Sequence, residues 1–199
     1  ANGEIGTIQP IREISQVLVK ERLRRLAAGE TRSLHLHVDA SQAAAYLSVN
    51  VSSLGVDMLT LSAAKLSGPK QVGLLWASDD VRLRPLVLGG GQEGGVRSGT
   101  ENVAGVIGFA CALALADETR TDEAKRVSRL RDQLQKLLCT EFPQMIVSGP
   151  KNAKLRLPNL LHVSFPGLEA RRLVILLERL GVSVGTGSAC AASKMQISH

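Results

Sequence analysis

A layered α/β fold, with helices covering a sheet, is the class this sequence predicts, and three observations predict it. Short apolar runs of strand length alternate with helix-periodic segments across the first part of the chain. Charged residues and glycine clusters fall at the ends of those runs, where open α/β sheets bind ligands. After Pro143 the order changes to strand, strand, helix, strand, which reads as a second, smaller α+β lobe.

The elements follow in order. Pro10 suits a first helical turn, where its missing N–H costs nothing. Ile11, Ile14, Val17, Leu18 and Leu26 then mark an amphipathic helix ending near Gly29. "LHLHV" (34–38) is a short strand with Asp39 at its carboxyl end, and "DMLTLS" (57–62) and "VGLLWA" (72–77) are two more. "GGGQEGGVRSGTEN" (89–102) is a glycine-rich loop. Two helices are expected next, an apolar one over about 103–115 and an amphipathic one over about 122–138. Beyond them "MIVSGP" and "NLLHVSF" read as strands, 169–180 as an amphipathic helix, and "VSVG" (182–185) as a last strand.

Composition narrows the function. The 199 residues are 44% hydrophobic and 21% charged, enough for one sizeable core or a core plus a lobe. No segment resembles a secretory leader, and no apolar run is long enough to span a bilayer. Cys111, Cys139 and Cys190 are odd in number and widely spaced, which points to a reducing compartment, the cytoplasm. The net charge of +6 is spread over helix-like stretches mixed with Glu and Asp, and aromatics are 3%. Nucleic acid is therefore not the expected partner, and a solvated surface, or an acidic protein partner, is the better reading. The opening "ANGEIGTIQP" has the style of an interior turn and the chain stops just after a glycine-rich segment, as expected of a piece of a longer protein.

Three features fall at strand ends: Asp39 with Gln42, Ser62 with Lys65, and the glycine loop. A carboxylate, an amine and phosphate-compatible glycines have one chemistry in common. A lysine amine forms a Schiff base with an aldehyde cofactor, and pyridoxal phosphate further needs a carboxylate for its pyridine nitrogen and donors for its phosphate. Read singly, Asp39 is a turn residue, Lys65 a solvated lysine, and the glycines permissive backbone. Cys111 and Cys139 read as small fillers on apolar helix faces, and the scattered Cys and His have no metal-ligand spacing.

Five motifs in sequence, "NGEIGTIQPI", "HVDASQ", "LSAAKLSGPKQVGLLW", "GGGQEGGVRSGTEN" and "GSACAAS", resemble those of NifS/IscS-type cysteine desulfurases. These are pyridoxal-phosphate enzymes of the class V aminotransferase group with the aspartate aminotransferase type of fold. The resemblance implies that residues 1–112 end a large, mainly parallel-sheet cofactor domain and that 113–199 form an incomplete small α+β domain. It implies that Lys65 bonds covalently to the cofactor, Asp39 faces its pyridine nitrogen, and Gln42 sits near its phenolic oxygen. Ser62 is implied to hold the phosphate, and Thr100 to reach the phosphate in the other subunit of a homodimer. Asn2 neighbours the cofactor, and His37 is structural.

Cys190 matches the mobile-loop cysteine that takes sulfur from L-cysteine as a persulfide, leaving L-alanine, and passes it to an acceptor protein for iron–sulfur clusters or tRNA. A thiol near its ordinary pKa of about 8.5 is only a few per cent thiolate at neutral pH, so this one needs activation. The sequence departs from the family in two places: Ala64 stands where a histidine usually precedes the lysine, and Gly3 where the turn usually has a second asparagine. A ring-stacking histidine, a small-residue phosphate loop and a carboxylate-binding arginine belong to regions outside these residues, so activity is expected of the complete protein and not of this piece. Selenocysteine lyase, another C–S lyase, or a non-catalytic scaffold are the alternative readings.

Overall fold

The computed structural model describes residues 1–187, which form two compact units. The first is Pro10–Glu123; the second joins Ala1–Gln9 to the chain from Ala124 on.

The first unit is built on a three-stranded sheet in the order β1-β2-β3, with β1 at His37–Asp39, β2 at Met58–Ser62 and β3 at Gly73–Ala77. β1 and β2 are parallel, with Asp39 opposite Thr60; β2 and β3 are antiparallel, with Ser62 opposite Gly73. Alternation along β2 buries Leu59 and Leu61, each 3% exposed, and leaves Met58, Thr60 and Ser62 half-buried. That period of two is what a strand with one face on a core requires. β1 is shorter than its sequence suggests. The Asp57 carboxylate accepts the Leu36 amide, at 2.6 Å, so regular pairing begins only at His37.

Helix α1 (Ile11–Ala27) is tied to this end of the sheet by Arg22. Its Nε donates to the Leu34 carbonyl at 2.9 Å and its Nη2 donates to Asp57. Of the helix's residues Ser15 is buried, while Val17, Leu23 and Leu26 are exposed, so the apolar stripe is not covered by the described residues. A short helix, α2 (Val51–Leu54), is capped by the Asn50 side chain, which accepts from the Ser53 amide, and ends in the left-handed Gly55.

Where two helices were expected, one helix, α3, runs unbroken over Val103–Glu141. The intervening "ADETRTDEAK" has neither glycine nor proline, so nothing in it stops a helix. Arg120 bridges Asp117 at 2.7 Å across one turn, and the Thr119 hydroxyl donates to the Leu115 carbonyl. Polar residues here line a solvated face and do not form a loop. Cys111 and Cys139, expected as buried fillers, are both exposed, because they lie on sides of α3 that the described residues leave open.

Asn102 caps α3 through a 3.0 Å bond from the Gly105 amide. The face that follows carries Gly105, Gly108, Phe109 and Ala112, a helical spacing with Phe109 5% exposed. This face meets the loop between β2 and β3 at very short range. A Cβ on Gly108 would stand 2.6 Å from Cγ of Pro69, and one on Gly105 2.8 Å from Cγ2 of Val72.

The second unit holds α3 from Ala124 to Glu141 and a two-stranded antiparallel ribbon, β4 (Ile146–Val147) and β5 (Val163–Ser164). Phe142 and Phe165 pack edge to face with centroids 5.4 Å apart. Helix α4 (Ala170–Arg179) follows, closed by the left-handed Gly181. The strand expected over 182–185 is absent: these residues are irregular and have no neighbouring strand to pair with among the described residues.

Gly108→Ala should force Pro69 away from α3. Melting of the first unit is expected to lose about 1–3 kcal/mol, the usual cost of overpacking, readable as a drop in denaturation midpoint.

Candidate active site

Parallel pairing of β1 with β2 sets both carboxyl ends at one edge of the sheet. Asp39 ends β1 there, and Ser62 ends β2. Because β3 runs back from Gly73, opposite Ser62, the chain between 62 and 73 is a return loop over the same edge. Lys65 sits in that loop, in a single 3-10 turn, Ala63–Leu66. Residues three apart eclipse in such a turn. Ala63, fully buried, and Leu66 face the core, while Ala64 and Lys65 are exposed.

The turn is locked at its far end. Ser67 adopts the left-handed conformation at φ 58°, and the Gly68 amide donates to the Ala63 carbonyl at 2.9 Å. A Cβ on Gly68 would meet Cβ of Ala112 at 3.0 Å and the Ala63 carbonyl at 3.1 Å. Small residues on α3 thus let the lysine turn seat directly on the helix. The sequence reading missed this support. Its signal was the spacing of Gly105, Gly108 and Ala112, combined with the "SGP" that follows Lys65.

Asp39 accepts the Ser41 amide at 2.9 Å. Burial works to raise its pKa, but hydrogen bonds from Ser41 and the nearby His37 outweigh it, and the net direction is below the ordinary 3.8. Gln42 is half-buried in the turn over 41–46, between Ala40 and the buried pair Ala43 and Ala44. His37 lies within 2.7 Å of the Thr60 hydroxyl, a cross-strand contact inside the sheet.

The glycine loop folds back on itself. Its Gly91 amide donates to the Ser98 hydroxyl at 3.3 Å and its Gly99 amide to the Gln92 side chain at 3.0 Å. Ser98 is buried, and Glu93, Gly94 and Gly95 are all left-handed, a conformation that glycine adopts without strain. Thr100 is exposed at the end of this loop.

Two expected site residues lie outside the described part of the first unit. Asn2 belongs to the second unit, where its Oδ1 accepts the amides of Glu4 and Ile5 at 2.8 and 2.9 Å. That oxygen is committed to its own turn. Cys190 lies outside the described residues.

Asp39, Ser62 and the exposed Lys65 turn thus share the carboxyl edge of the parallel pair β1 and β2, the place where open α/β sheets bind ligands. The backbone agrees with this. It superimposes on a NifS-like protein with TM-score 0.83 at 36% identity, covering 94% of this chain and 47% of that one. It matches the NifS-like protein of Rickettsia africae ESF-5 with TM-score 0.84 at 30% identity, covering 94% and 48%. The chain belongs to the aminotransferase class-V family, whose model matches residues 1–199. Among curated relatives, the cysteine desulfurase IscS of Clostridium botulinum is 39% identical over all of this chain and 47% of its own length. Cysteine desulfurase IscS 1 of Archaeoglobus fulgidus is 40% identical, over all of this chain and 48% of its own length. The chain spans about half the length of the curated relatives it matches.

Asp39 supplies a pH test. Its pKa is lowered on folding, so the stability it contributes is present above about pH 4 and lost as pH falls through the lowered value. The difference in denaturation midpoint between wild type and Asp39→Asn should therefore shrink between pH 6 and pH of about 3. A difference that stays constant over this range would contradict the assignment.

Proposed function

We propose that the complete protein containing this chain is a pyridoxal-phosphate-dependent cysteine desulfurase, which converts L-cysteine to L-alanine and holds the sulfur as a persulfide on Cys190. The observation that carries the reading is the shared edge of Asp39, Ser62 and the Lys65 turn. The donor set fits the cofactor. Asp39 stays ionised, as the partner of a protonated pyridine nitrogen must; Ser62 offers a hydroxyl; Lys65 presents a primary amine clear of the core. When bound, the cofactor supplies an electron sink for the substrate's Cα electrons.

The chain's own residues do the rest. Nζ of Lys65 would hold the cofactor covalently, and as a free amine it would carry a proton. Asp39 would keep the ring's charge in place and Gln42 would orient its phenolic side, with Asn2 a further contact on the family resemblance alone. Sulfur transfer balances simply. The Cys190 thiolate bonds to the substrate sulfur, the Cβ–S bond breaks, and its electron pair stays on carbon, which takes up a proton to give alanine. One thiol and one cysteine become one persulfide and one alanine.

The family resemblance extends this to a homodimer in which Thr100 reaches the phosphate of the other subunit, and to a sulfur-acceptor protein as partner. It also supports residues 1–112 as the end of the cofactor domain and 113–199 as part of the small domain, and a cytoplasmic location. Among the described residues no helix is long and apolar enough to cross a membrane. Ala64 removes the usual histidine beside Lys65, so more of the phosphate's binding falls to Ser62 and Thr100.

The test uses the full-length protein. Lys65→Ala is expected to abolish the visible absorption of the lysine-bound cofactor, and Cys190→Ala to keep it while persulfide transfer falls by about a thousandfold or more, as loss of a nucleophile does. A colourless wild type that releases no alanine from cysteine would instead favour the non-catalytic scaffold. Turnover of selenocysteine alone would favour the lyase.

A further inference from the structure

One residue of β2 grips β1 on both sides of Asp39. Thr60 stands opposite Asp39 in the parallel register. Its carbonyl accepts the Ala40 amide at 2.9 Å, one residue past the acid. Its hydroxyl lies 2.7 Å from Nε2 of His37, two residues before the acid. Strand alternation explains the arrangement. His37 and Asp39 share one face of β1, and Thr60, paired with Asp39, belongs to the same face. The opposite face of β2 carries the buried Leu59 and Leu61. Thr60 therefore spans Asp39 by main chain on one side and by side chain on the other.

Such a grip has work to do here. β1 is three residues long, Asp39 is its last residue, and it forms one edge of the sheet among the described residues. A strand end with so few ladder bonds opens easily. The imidazole–hydroxyl contact adds a cross-strand tie on the carboxylate's own face. The acid is also held from beyond the strand, where its Oδ1 accepts the Ser41 amide at 2.9 Å. Ala40, 3% exposed, accepts the Ala43 and Ala44 amides at 2.9 and 3.1 Å, so the turn bearing Gln42 starts from the same anchor.

We propose that Thr60 and His37, tied to each other across the strands, are positioning residues that fix the Asp39 carboxylate at the sheet edge. Both act through Asp39. This rests on the reading that Asp39 faces the cofactor's pyridine nitrogen.

The test uses the full-length protein with Thr60→Val, which keeps the side chain's shape and loses the hydroxyl, Thr60→Ser, which restores it, and His37→Leu. When the apoprotein is titrated with pyridoxal phosphate, Thr60→Val and His37→Leu should each bind about fivefold more weakly, the effect of one neutral hydrogen bond. Thr60→Ser should stay within about twofold of wild type. In an Asp39→Asn background the first two substitutions should change affinity by less than about twofold, because no carboxylate is left to position. A further readout needs no cofactor: exchange of the Ser41 amide in the apoprotein should accelerate about fivefold in Thr60→Val, with the β3 amides unchanged. Should Thr60→Val not fold, His37→Leu, at an exposed position, must show the same pattern. Equal loss of affinity with and without Asp39, unchanged affinity, or acceleration spread evenly over the first unit overturns the positioning role. If wild type binds no pyridoxal phosphate, the functional reading fails, while an unchanged Ser41 rate in Thr60→Val would independently refute the grip on Asp39.

Discussion

Everything at the candidate site depends on the register in which β1 lies parallel to β2. Asp39 pairs with Thr60, and this places the acid of one strand and the serine ending the other at a common edge. The register is held by burial: Leu59 and Leu61 face the core, and a slip by one residue would bring Met58, Thr60 and Ser62 inward in their place. It is also held from the opposite edge, where Asp57 takes the Leu36 amide and the Arg22 guanidinium of α1. A salt bridge remote from the site thus fixes the geometry of the site.

A second constraint is steric. The return loop that carries Lys65 is pressed onto α3 where that helix offers only hydrogen atoms or methyl groups. Eclipsed packing of Ala63 and Leu66 then leaves Lys65 no direction but outward. The lysine's exposure, which in isolation looks like ordinary solvation, is here the consequence of a turn pinned at both ends. In the second unit a buried arginine does comparable work: Arg131, 3% exposed, donates to the Leu157 carbonyl at 2.8 Å and pairs with Asp132.

Much of this was legible beforehand. Strands at β2 and β3 and helices at α1 and α4 announced themselves by period, and the five ordered motifs carried the family. The misreadings have physical reasons. A polar stretch between two apolar ones reads as a break, but helix ends need glycine, proline or a cap, and "ADETRTDEAK" has none. "VSVG" has strand composition, but a strand exists only where a neighbour accepts its hydrogen bonds. Arg131 and Arg156 passed as surface charge, because burial of an arginine depends on partners supplied from elsewhere in the chain.

By itself the sequence determined which groups are available: an acid at the end of an apolar run, an amine in a glycine–proline turn, a glycine-rich loop and a cysteine among small residues. It determined them because strand period and turn chemistry are local properties. Only the tertiary structure decided which of those groups meet. It set Asp39 and Ser62 at one edge through strand register, seated the Lys65 turn on α3, and bound the Asn2 turn to residues 155–157. Those decisions rest on hydrogen bonds and close contacts between segments far apart in the chain, which no local pattern encodes.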